Sequence, residues 1–203
     1  MEVSFHQEIE SLRLGQGHTF HGEGILAVTE VFPGTIDPVF SQQAIAAAQA
    51  VAAGLNYVGV LCVEFFLLAP GPEREALGPL VVNEMAPRPH NSGHYSQDAC
   101  DVSQFELQVR CMAGLPLTAP RQHSPALMLN LLGDLWFSSP GGPPTEPPWD
   151  RVLALPGTHL HLYGKTSARP GRKMGHLNVT GTSPEAVRAT ALQAAGLLGI
   201  APF

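Results

Sequence analysis

The fold is decided by YVGVLCVEFFLLAPGPEREALGPLVVNEMAPRPHNSGH, which occupies residues 57–94. Its first part, Tyr57 to Leu68, is rich in β-branched and aromatic residues and too short to span a membrane, so it predicts a buried strand. Ala69–Gly78 contains prolines, glycines and mixed charge, which are typical of a solvated hairpin loop. Residues 79–84, PLVVNE, then predict the partner strand of a hairpin.

Helix signals lie outward from this hairpin. SQQAIAAAQAVAAG, residues 41–54, combines a serine cap, an alanine-rich body and a terminal glycine, which predict a helix. Asp101 followed three residues later by Gln104 predicts a capped helix that runs to Gly114. Ser183 and the proline after it predict the start of a final helix that continues to Gly196.

The remaining pattern favours an α+β fold. Thr158–Tyr163 alternates as a strand does, and Gly175–Val179 predicts a second short strand. Between these elements and the earlier helices lies SSPGGPPTEPP, residues 138–148, which is too rich in proline and glycine for regular structure and predicts a surface loop. Strands and helices do not form a long βαβ series, so α+β is favoured over a doubly wound sheet.

The composition indicates a folded chain and argues against a nucleic-acid partner. The 203 residues are 44% hydrophobic and 14% charged, which is enough apolar material for one large or two small domains. The formal net charge of −6 provides no basic field for a nucleic-acid backbone.

Cysteine usage and the first residues indicate a cytoplasmic protein. Cys62, Cys100 and Cys111 are an odd number without CxxC spacing, which fits reduced thiols that act as core or spectator residues. The first residues lack a cationic segment followed by an apolar stretch, and no run has the length of a membrane span. We therefore expect no membrane partner.

Two glutamates in the predicted hairpin are candidate metal ligands. Glu64 interrupts an apolar strand, and Glu84 follows Asn83 at the end of the next strand. A buried carboxylate is costly unless it is paired or bound to a cation. If the strands pair, both glutamates can face one cleft and supply the hard oxygen ligands that magnesium takes. The alternative is that each glutamate marks the solvated face of an edge strand.

The segment after the second strand is predicted to be an ordered binding loop. Its prolines and glycine disfavour a helix, and polar loops beside rigid strands are common binding sites. His90 and His94 at helical spacing could instead form a metal pair, but the proline and glycine around them disfavour it. The loop is dense in hydrogen-bonding side chains: Arg88, His90, Asn91, Ser92 and His94.

A second basic segment, KTSARPGRKMGH, spans residues 165–176. In a chain with 11 Lys and Arg, this concentration would suit an anionic ligand, although a solvated basic turn would have the same composition. We expect it to share one anion pocket, between two lobes, with the 88–92 loop. The positive side chains and the histidine are Lys165, Arg169, Arg172, Lys173 and His176.

Three stretches in this order carry a family resemblance: YVGVLCVEFF, then VNEMAPRPHNSGHYSQDACDVSQFELQVRCMAGLPL, then HLYGKTSARPGRKMGHLNVT. Together they resemble the N5-carboxyaminoimidazole ribonucleotide synthetases of the ATP-grasp superfamily. The resemblance implies the carboxy-terminal half of an ATP-grasp domain, an antiparallel sheet with helices, over residues 1–118. A small α+β domain would follow over residues 119–203, with the boundary near residues 115–124.

The resemblance also implies roles for single residues. Arg88 and His90 would be catalytic and would hold substrate and bicarbonate-derived carbonate. Magnesium would be bound by Glu64 and Glu84. Contacts to ATP would come from Glu2, His21, Asn83 and Glu84. The ribonucleotide would be bound by Asn91, Ser92, Lys165 and Arg172.

The implied reaction is an ADP-forming carbon–nitrogen ligation. ATP and bicarbonate would give carboxyphosphate, and the carboxyl group would pass to the exocyclic amine of aminoimidazole ribonucleotide. Family members also have an amino-terminal α/β domain and a central lid, so the resemblance implies a truncated, split or separately encoded half that is active only with the missing half. The candidate protein partners are a separately encoded amino-terminal half and a second copy of the chain in a homodimer. A non-catalytic ATP-grasp remnant and another ATP-grasp ligase, such as a formate- or glycine-using purine enzyme, are the alternatives.

Overall fold

The computed structural model describes residues 2–6, 18–22, 25–32, 36–139 and 142–203. For residues 2–6, 18–22 and 25–27 it describes the backbone alone. The chain forms two compact units, Met1–Thr19 with Glu30–His123 and Phe20–Thr29 with Ser124–Phe203. The domain bounds 1–118 and 119–203 stay predictions.

Strands and helices alternate irregularly along the described chain. The strands are β1 Glu2–His6, β2 His18–Gly22, β3 Ile25–Val31, β4 Cys62–Leu67, β5 Leu80–Ala86, β6 Ala126–Leu132, β7 Thr158–Leu162 and β8 Lys173–Thr180. The helices are α1 Pro38–Gly54, α2 Pro72–Leu77, α3 Ser96–Ala99, α4 Gln104–Ala113, α5 Trp149–Leu153 and α6 Pro184–Leu198. Short 3-10 turns cover Asn91–Gly93 and Gly133–Trp136. The predicted α+β class is confirmed.

The first unit is built on a mixed sheet with the order β5-β4-β1-β2. Strand β1 runs parallel to both β2 and β4, whereas β4 and β5 form the predicted antiparallel hairpin. Helix α1 covers one face of this sheet, where Ala44 and Ala48 pack against Val63 and Phe65. Alternation along β4 therefore turns Cys62 and Glu64 to the opposite face.

Two expected boundaries in the first unit are wrong. Helix α1 begins at Pro38 instead of Ser41, because Asp37 caps it by accepting a 2.8 Å hydrogen bond from the Val39 amide. The region Ala69–Gly78 is not only a loop, since its proline and charged residues form the short helix α2. Arg74 from this helix donates to the Leu68 carbonyl at 3.2 Å and closes the hairpin.

The predicted cap of the fourth helix is also wrong. Ser103 is the cap residue, and its hydroxyl accepts from the Glu106 amide at 3.1 Å. Asp101 instead accepts a 2.8 Å hydrogen bond from the backbone amide of Arg121, which lowers the pKa of Asp101. Because Asp101 does not cap the helix, the Gln104 side chain is available to bind a different partner.

The second unit contains a sheet with the order β3-β6-β8-β7. Strand β6 is not predicted from the sequence, because its residues, apolar except for Asn130, show no alternation. It pairs antiparallel with β8, which also pairs with β7. The predicted strands near residues 158 and 175 and the final helix are confirmed, and residues 138–139 and 142–148 contain neither helix nor strand.

Among the described residues, no helix has both the length and the apolar character needed to cross a bilayer.

The Ser183 cap allows a first test. Its hydroxyl accepts from the Ala186 amide at 3.2 Å and satisfies one of the free amides at the start of α6. We expect Ser183→Ala to lower the free energy of unfolding by about 1 kcal/mol in urea denaturation. Thr182→Ala, an exposed neighbour before the helix, is the control and should leave the midpoint unchanged. Equal effects of the two substitutions would contradict the capping role.

Candidate functional site

Glu64 and Glu84 lie directly opposite each other in the antiparallel pair of β4 and β5. The register shifts just after Glu64, so that Phe65 pairs with Val82 and Asn83 is the extra residue of a β-bulge. A bulge turns a side chain that would otherwise face away, and the Asn83 amide donates to Glu64 Oε2 at 3.4 Å. The hairpin thus gathers two carboxylates and an amide on one face.

The imidazole of His90 lies between the two carboxylates. Its Nδ1 is 3.2 Å from Glu64 Oε1, and its Nε2 is 3.0 Å from Glu84 Oε1. Glu64 is buried, with 3% of its surface exposed, whereas the Glu84 side chain is 53% exposed. One carboxylate is therefore held in the protein and the other borders solvent.

This donor set fits a magnesium ion. Glu64 and Glu84 present carboxylate oxygens on one side of the hairpin, beside the Asn83 amide, and magnesium prefers carboxylate and carbonyl oxygens together with waters or phosphates. A divalent cation would also offset the cost of a buried carboxylate at Glu64. The magnesium role of the two glutamates stays a proposal.

Gln104 fixes the loop that carries His90. Its Oε1 accepts from the His90 amide at 2.8 Å, and its Nε2 donates to the His90 carbonyl at 2.8 Å. The same Nε2 lies 2.8 Å from His94 Nδ1. The buried Gln104 side chain therefore supplies hydrogen bonds to the His90 backbone that a paired strand would otherwise supply. His94 packs beside Phe105 and contacts Gln104. Because the spacing of Asp101 and Gln104 predicts a helix cap, the sequence does not predict this role of Gln104.

The other residues of the loop differ in exposure. Asn91 and Ser92 are buried, and Ser92 Oγ is 3.0 Å from His90 Nδ1. No residue in the described part of the chain pairs with the Asn91 Nδ2 donor. Arg88 is exposed, and its guanidinium donates to the Pro89 carbonyl at 3.1 Å. The loop therefore offers a buried amide and an exposed guanidinium to a ligand.

Besides Gln104, sequence reasoning missed Cys62 as a residue of this site. Cys62, interpreted from the sequence as a core or spectator residue, is two positions before Glu64 and faces the same side of β4. Its Sγ lies 3.5 Å from His90 Nδ1 and 3.5 Å from Ser92 Oγ. An apolar strand pattern gives no signal that distinguishes such a thiol from a packing residue.

The basic segment in the second unit is anchored to the turn after β6. The Gly133 amide donates to the Arg172 carbonyl at 2.7 Å, and Asp134 Oδ2 accepts from the Gly171 amide at 2.7 Å. Arg172 donates to the Ser167 carbonyl at 2.9 Å, and Lys165 donates to the Lys173 carbonyl. Residues 165–172 thus form an ordered loop, whereas residues 173–176 begin strand β8. That the segment shares a pocket with the 88–92 loop stays a prediction.

Aromatic and imidazole groups lie beside Lys165. Tyr163 Oη is 2.9 Å from His176 Nδ1, and the His161 ring stacks on His176 at 4.6 Å. Partial burial raises the pKa of Tyr163 to about 12, so its hydroxyl keeps its proton at neutral pH. On the same strand as His161, His159 Nε2 lies 3.2 Å from Thr180 Oγ1.

The two remaining candidate residues lie in strands of which only the backbone is described. Glu2 is the register partner of Cys62 in the parallel pair of β1 and β4, and His21 lies in β2. Their side chains lie outside the described part of the structure, and their ATP roles stay predictions.

Comparison with known families accounts for both parts of the chain. The ATP-grasp domain matches residues 7–105, and the phosphoribosylaminoimidazole carboxylase C-terminal domain matches residues 126–190. A relative from Vibrio cholerae serotype O1, named N5-carboxyaminoimidazole ribonucleotide synthase, is 43% identical over 160 residues, which are 79% of this chain and 36% of that protein. The chain belongs to this synthase family and matches its carboxy-terminal part.

Solved structures of the synthase family have the same fold. The synthetase from Thermus thermophilus has a TM-score of 0.76 and 34% identity, over 91% of this chain and 46% of that one. The synthase from Aspergillus clavatus, in complex with ADP and 5-aminoimidazole ribonucleotide, has a TM-score of 0.74 and 28% identity, over 89% and 46% of the two chains. This chain therefore spans less than half the length of the relatives that it matches.

Gln104 provides a test of how the His90 loop is held. We expect Gln104→Ala to lower the free energy of unfolding by about 2 kcal/mol, because it leaves the buried His90 amide without its partner and removes one of the two donors to the His90 carbonyl. Urea denaturation measures this loss. Gln97→Ala removes the same side chain at an exposed position and should have no effect. If both variants unfold alike, Gln104 does not hold the loop.

Gly133 provides a corresponding test for the basic segment. A Cβ atom at this position would lie 2.1 Å from the Arg169 carbonyl oxygen, so Gly133→Ala must displace the segment. We expect trypsin to cleave after Lys165 and Arg172 severalfold faster in this variant, since proteolysis follows the population of the open loop. At Gly196 the added Cβ would meet nothing within 4 Å, so Gly196→Ala should digest as the unaltered chain does. Unchanged digestion of Gly133→Ala would refute the anchoring.

Proposed function

We propose that the chain supplies the carboxy-terminal part of an ATP-dependent carboxylase that converts 5-aminoimidazole ribonucleotide and bicarbonate to N5-carboxyaminoimidazole ribonucleotide. One observation carries this proposal: Glu64 and Glu84 oppose each other with His90 between them, on a hairpin followed by the family's loop. Such a site offers hard oxygen ligands beside polar groups that can position a small anionic substrate.

Glu64 and Glu84 are the proposed magnesium ligands, and Asn83 belongs to the same edge. Magnesium, when bound, neutralises charge on the phosphoryl oxygens of ATP during transfer. Burial of Glu64 and its contact with Asn83 hold one ligand in place without the ion. Glu84 is the more exposed of the pair, which suits a residue that meets the nucleotide.

The loop at residues 88–92 is the proposed carboxylation site. The buried Asn91 amide and the Ser92 hydroxyl suit a neutral or anionic oxygen of the ribonucleotide. His90 is held through both its backbone and its ring, so it can orient a reacting group with little rearrangement. Exposed Arg88 is the proposed cation for carbonate or carboxyphosphate. A water-poor pocket would protect that acyl phosphate from hydrolysis.

Lys165 and Arg172 are the proposed ligands of the substrate phosphate. Both belong to the segment anchored by Gly133 and Asp134, and Arg172 is oriented by Ser167. An arginine held in this way can bind two phosphate oxygens at once. The ADP and 5-aminoimidazole ribonucleotide bound to the Aspergillus clavatus synthase support these substrate classes.

The proposed reaction transfers one carboxyl group. Bicarbonate attacks the terminal phosphorus of ATP, which gives carboxyphosphate and ADP. The exocyclic amine of the ribonucleotide then attacks the carboxyl carbon, loses a proton and displaces phosphate. Glu2 and His21 are further proposed contacts to ATP. We also propose a cytoplasmic location and no nucleic-acid or membrane partner.

Recombination with the remaining part of a synthase tests this function. We expect the chain alone to release no ADP in the presence of bicarbonate and aminoimidazole ribonucleotide, because it lacks most of the length of its relatives. Mixing it with a separately produced amino-terminal portion of a family member should restore ADP release that depends on the ribonucleotide.

A matched pair of variants makes the same experiment specific. Glu84→Gln should abolish the restored activity, whereas Glu73→Gln, the same change on the exposed helix α2, should retain it. Turnover by the chain alone would contradict the need for a complementary portion. If a stable mixture binds ATP but never turns over, the chain is a non-catalytic remnant. Activity that survives in Glu84→Gln would contradict the magnesium role.

A further inference from the structure

Cys62, Glu64 and His90 place three different metal-binding atoms around one point. All three side chains are buried, and their ligand atoms lie within 4.8 Å of one another. They form a group of metal-binding type within the part of the chain that the structure describes. The group adds a thiol and an imidazole to a carboxylate, and neither is a ligand that magnesium prefers.

The distances match a tetrahedral zinc site. With Zn–S near 2.3 Å and Zn–N or Zn–O near 2.0–2.1 Å, tetrahedral angles place sulfur about 3.6 Å from nitrogen and nitrogen about 3.3 Å from oxygen. Cys62 Sγ lies 3.5 Å from His90 Nδ1, and His90 Nδ1 lies 3.2 Å from Glu64 Oε1. Ser92 Oγ lies 3.5 Å from Cys62 Sγ and 3.0 Å from His90 Nδ1, so its hydroxyl neighbours two of the three ligand atoms.

The surroundings orient the imidazole as zinc sites do. Histidine ligands usually donate their second ring N–H to a carboxylate, which fixes the tautomer and directs the other nitrogen to the metal. Glu84 Oε1 lies 3.0 Å from His90 Nε2 and fits this role. Gln104 holds the His90 backbone through both its amide and its carbonyl. The ligands are thus held in place without an ion.

We propose that Cys62, Glu64 and His90 form a binding site for a soft divalent cation of the zinc class. On binding, the Cys62 thiol releases its proton to solvent and coordinates as thiolate, while His90 coordinates through the Nδ1 lone pair. The zinc ion would use Glu64 as a ligand, and Glu84 would accept a hydrogen bond from the His90 ring. Zinc and magnesium therefore exclude each other, and, as far as this rests on the proposed function, zinc inhibits carboxylation.

Direct binding tests the site independently of catalysis. The chain is titrated with Zn²⁺ against a chromophoric chelator, and with Co²⁺ as a spectroscopic substitute. We expect one ion per chain and a thiolate-to-cobalt charge-transfer band. Cys62→Ala and Cys62→Ser should each weaken zinc binding at least tenfold and remove the band. Cys111→Ser, at a cysteine outside the cluster, should bind as the unaltered chain does.

Other outcomes would overturn the proposal. Zinc binding without the cobalt–thiolate band would place the ion on other ligands. An equal loss of zinc affinity in Cys62→Ser and Cys111→Ser would also place the ion on other ligands. Urea denaturation of the Cys62 variants identifies any that do not fold, and Cys62→Ser preserves side-chain size for this reason. If zinc binds but does not slow the recombined enzyme, the site stands and the proposed magnesium role fails.

Discussion

The pairing of β4 with β5 around a buried carboxylate is the constraint on which the first unit depends. Glu64 is 3% exposed and lies within an otherwise apolar strand, a position that is costly for a charged group. The bulge after Glu64 offsets part of this cost, because it brings the Asn83 amide, which donates a hydrogen bond to Glu64, to the same face. His90 then completes the surroundings of the carboxylate. Packing of α1 on the other face fixes which side of the sheet carries the polar groups.

The same arrangement explains why the loop after β5 is ordered without being a strand or a long helix. The backbone amide and carbonyl of His90 both find a hydrogen-bond partner in one side chain, Gln104, at the start of α4. Helix α4 in turn begins correctly only because Ser103 caps it and leaves Gln104 free. The loop is thus connected to the fold through one buried side-chain amide, which is a strong constraint because an unpaired buried amide is costly.

In the second unit, hydrogen bonds to the backbone also hold the basic segment in place. Positive side chains near one another repel, and the backbone here is held by neutral donors and one carboxylate at the turn after β6. Gly133 is required at this turn because any Cβ would collide with the Arg169 backbone. The segment can therefore present Lys165 and Arg172 in a fixed geometry.

The sequence by itself determined the α+β class, the hairpin, the final helix, the family and the residue types available for chemistry. Periodicity, capping residues and proline act locally, so they can be recognised along the chain. Only the tertiary structure decided that Asp37 and Ser103 cap α1 and α4, that β6 is a strand, and that Cys62 and Gln104 lie in the candidate site. The contacts in that site join residues distant in sequence: the bulge residue Asn83 is 19 residues from Glu64, and Gln104 is 14 residues from His90. Local sequence patterns do not predict such contacts, because any of several polar groups could have formed a hydrogen bond with the same buried donor.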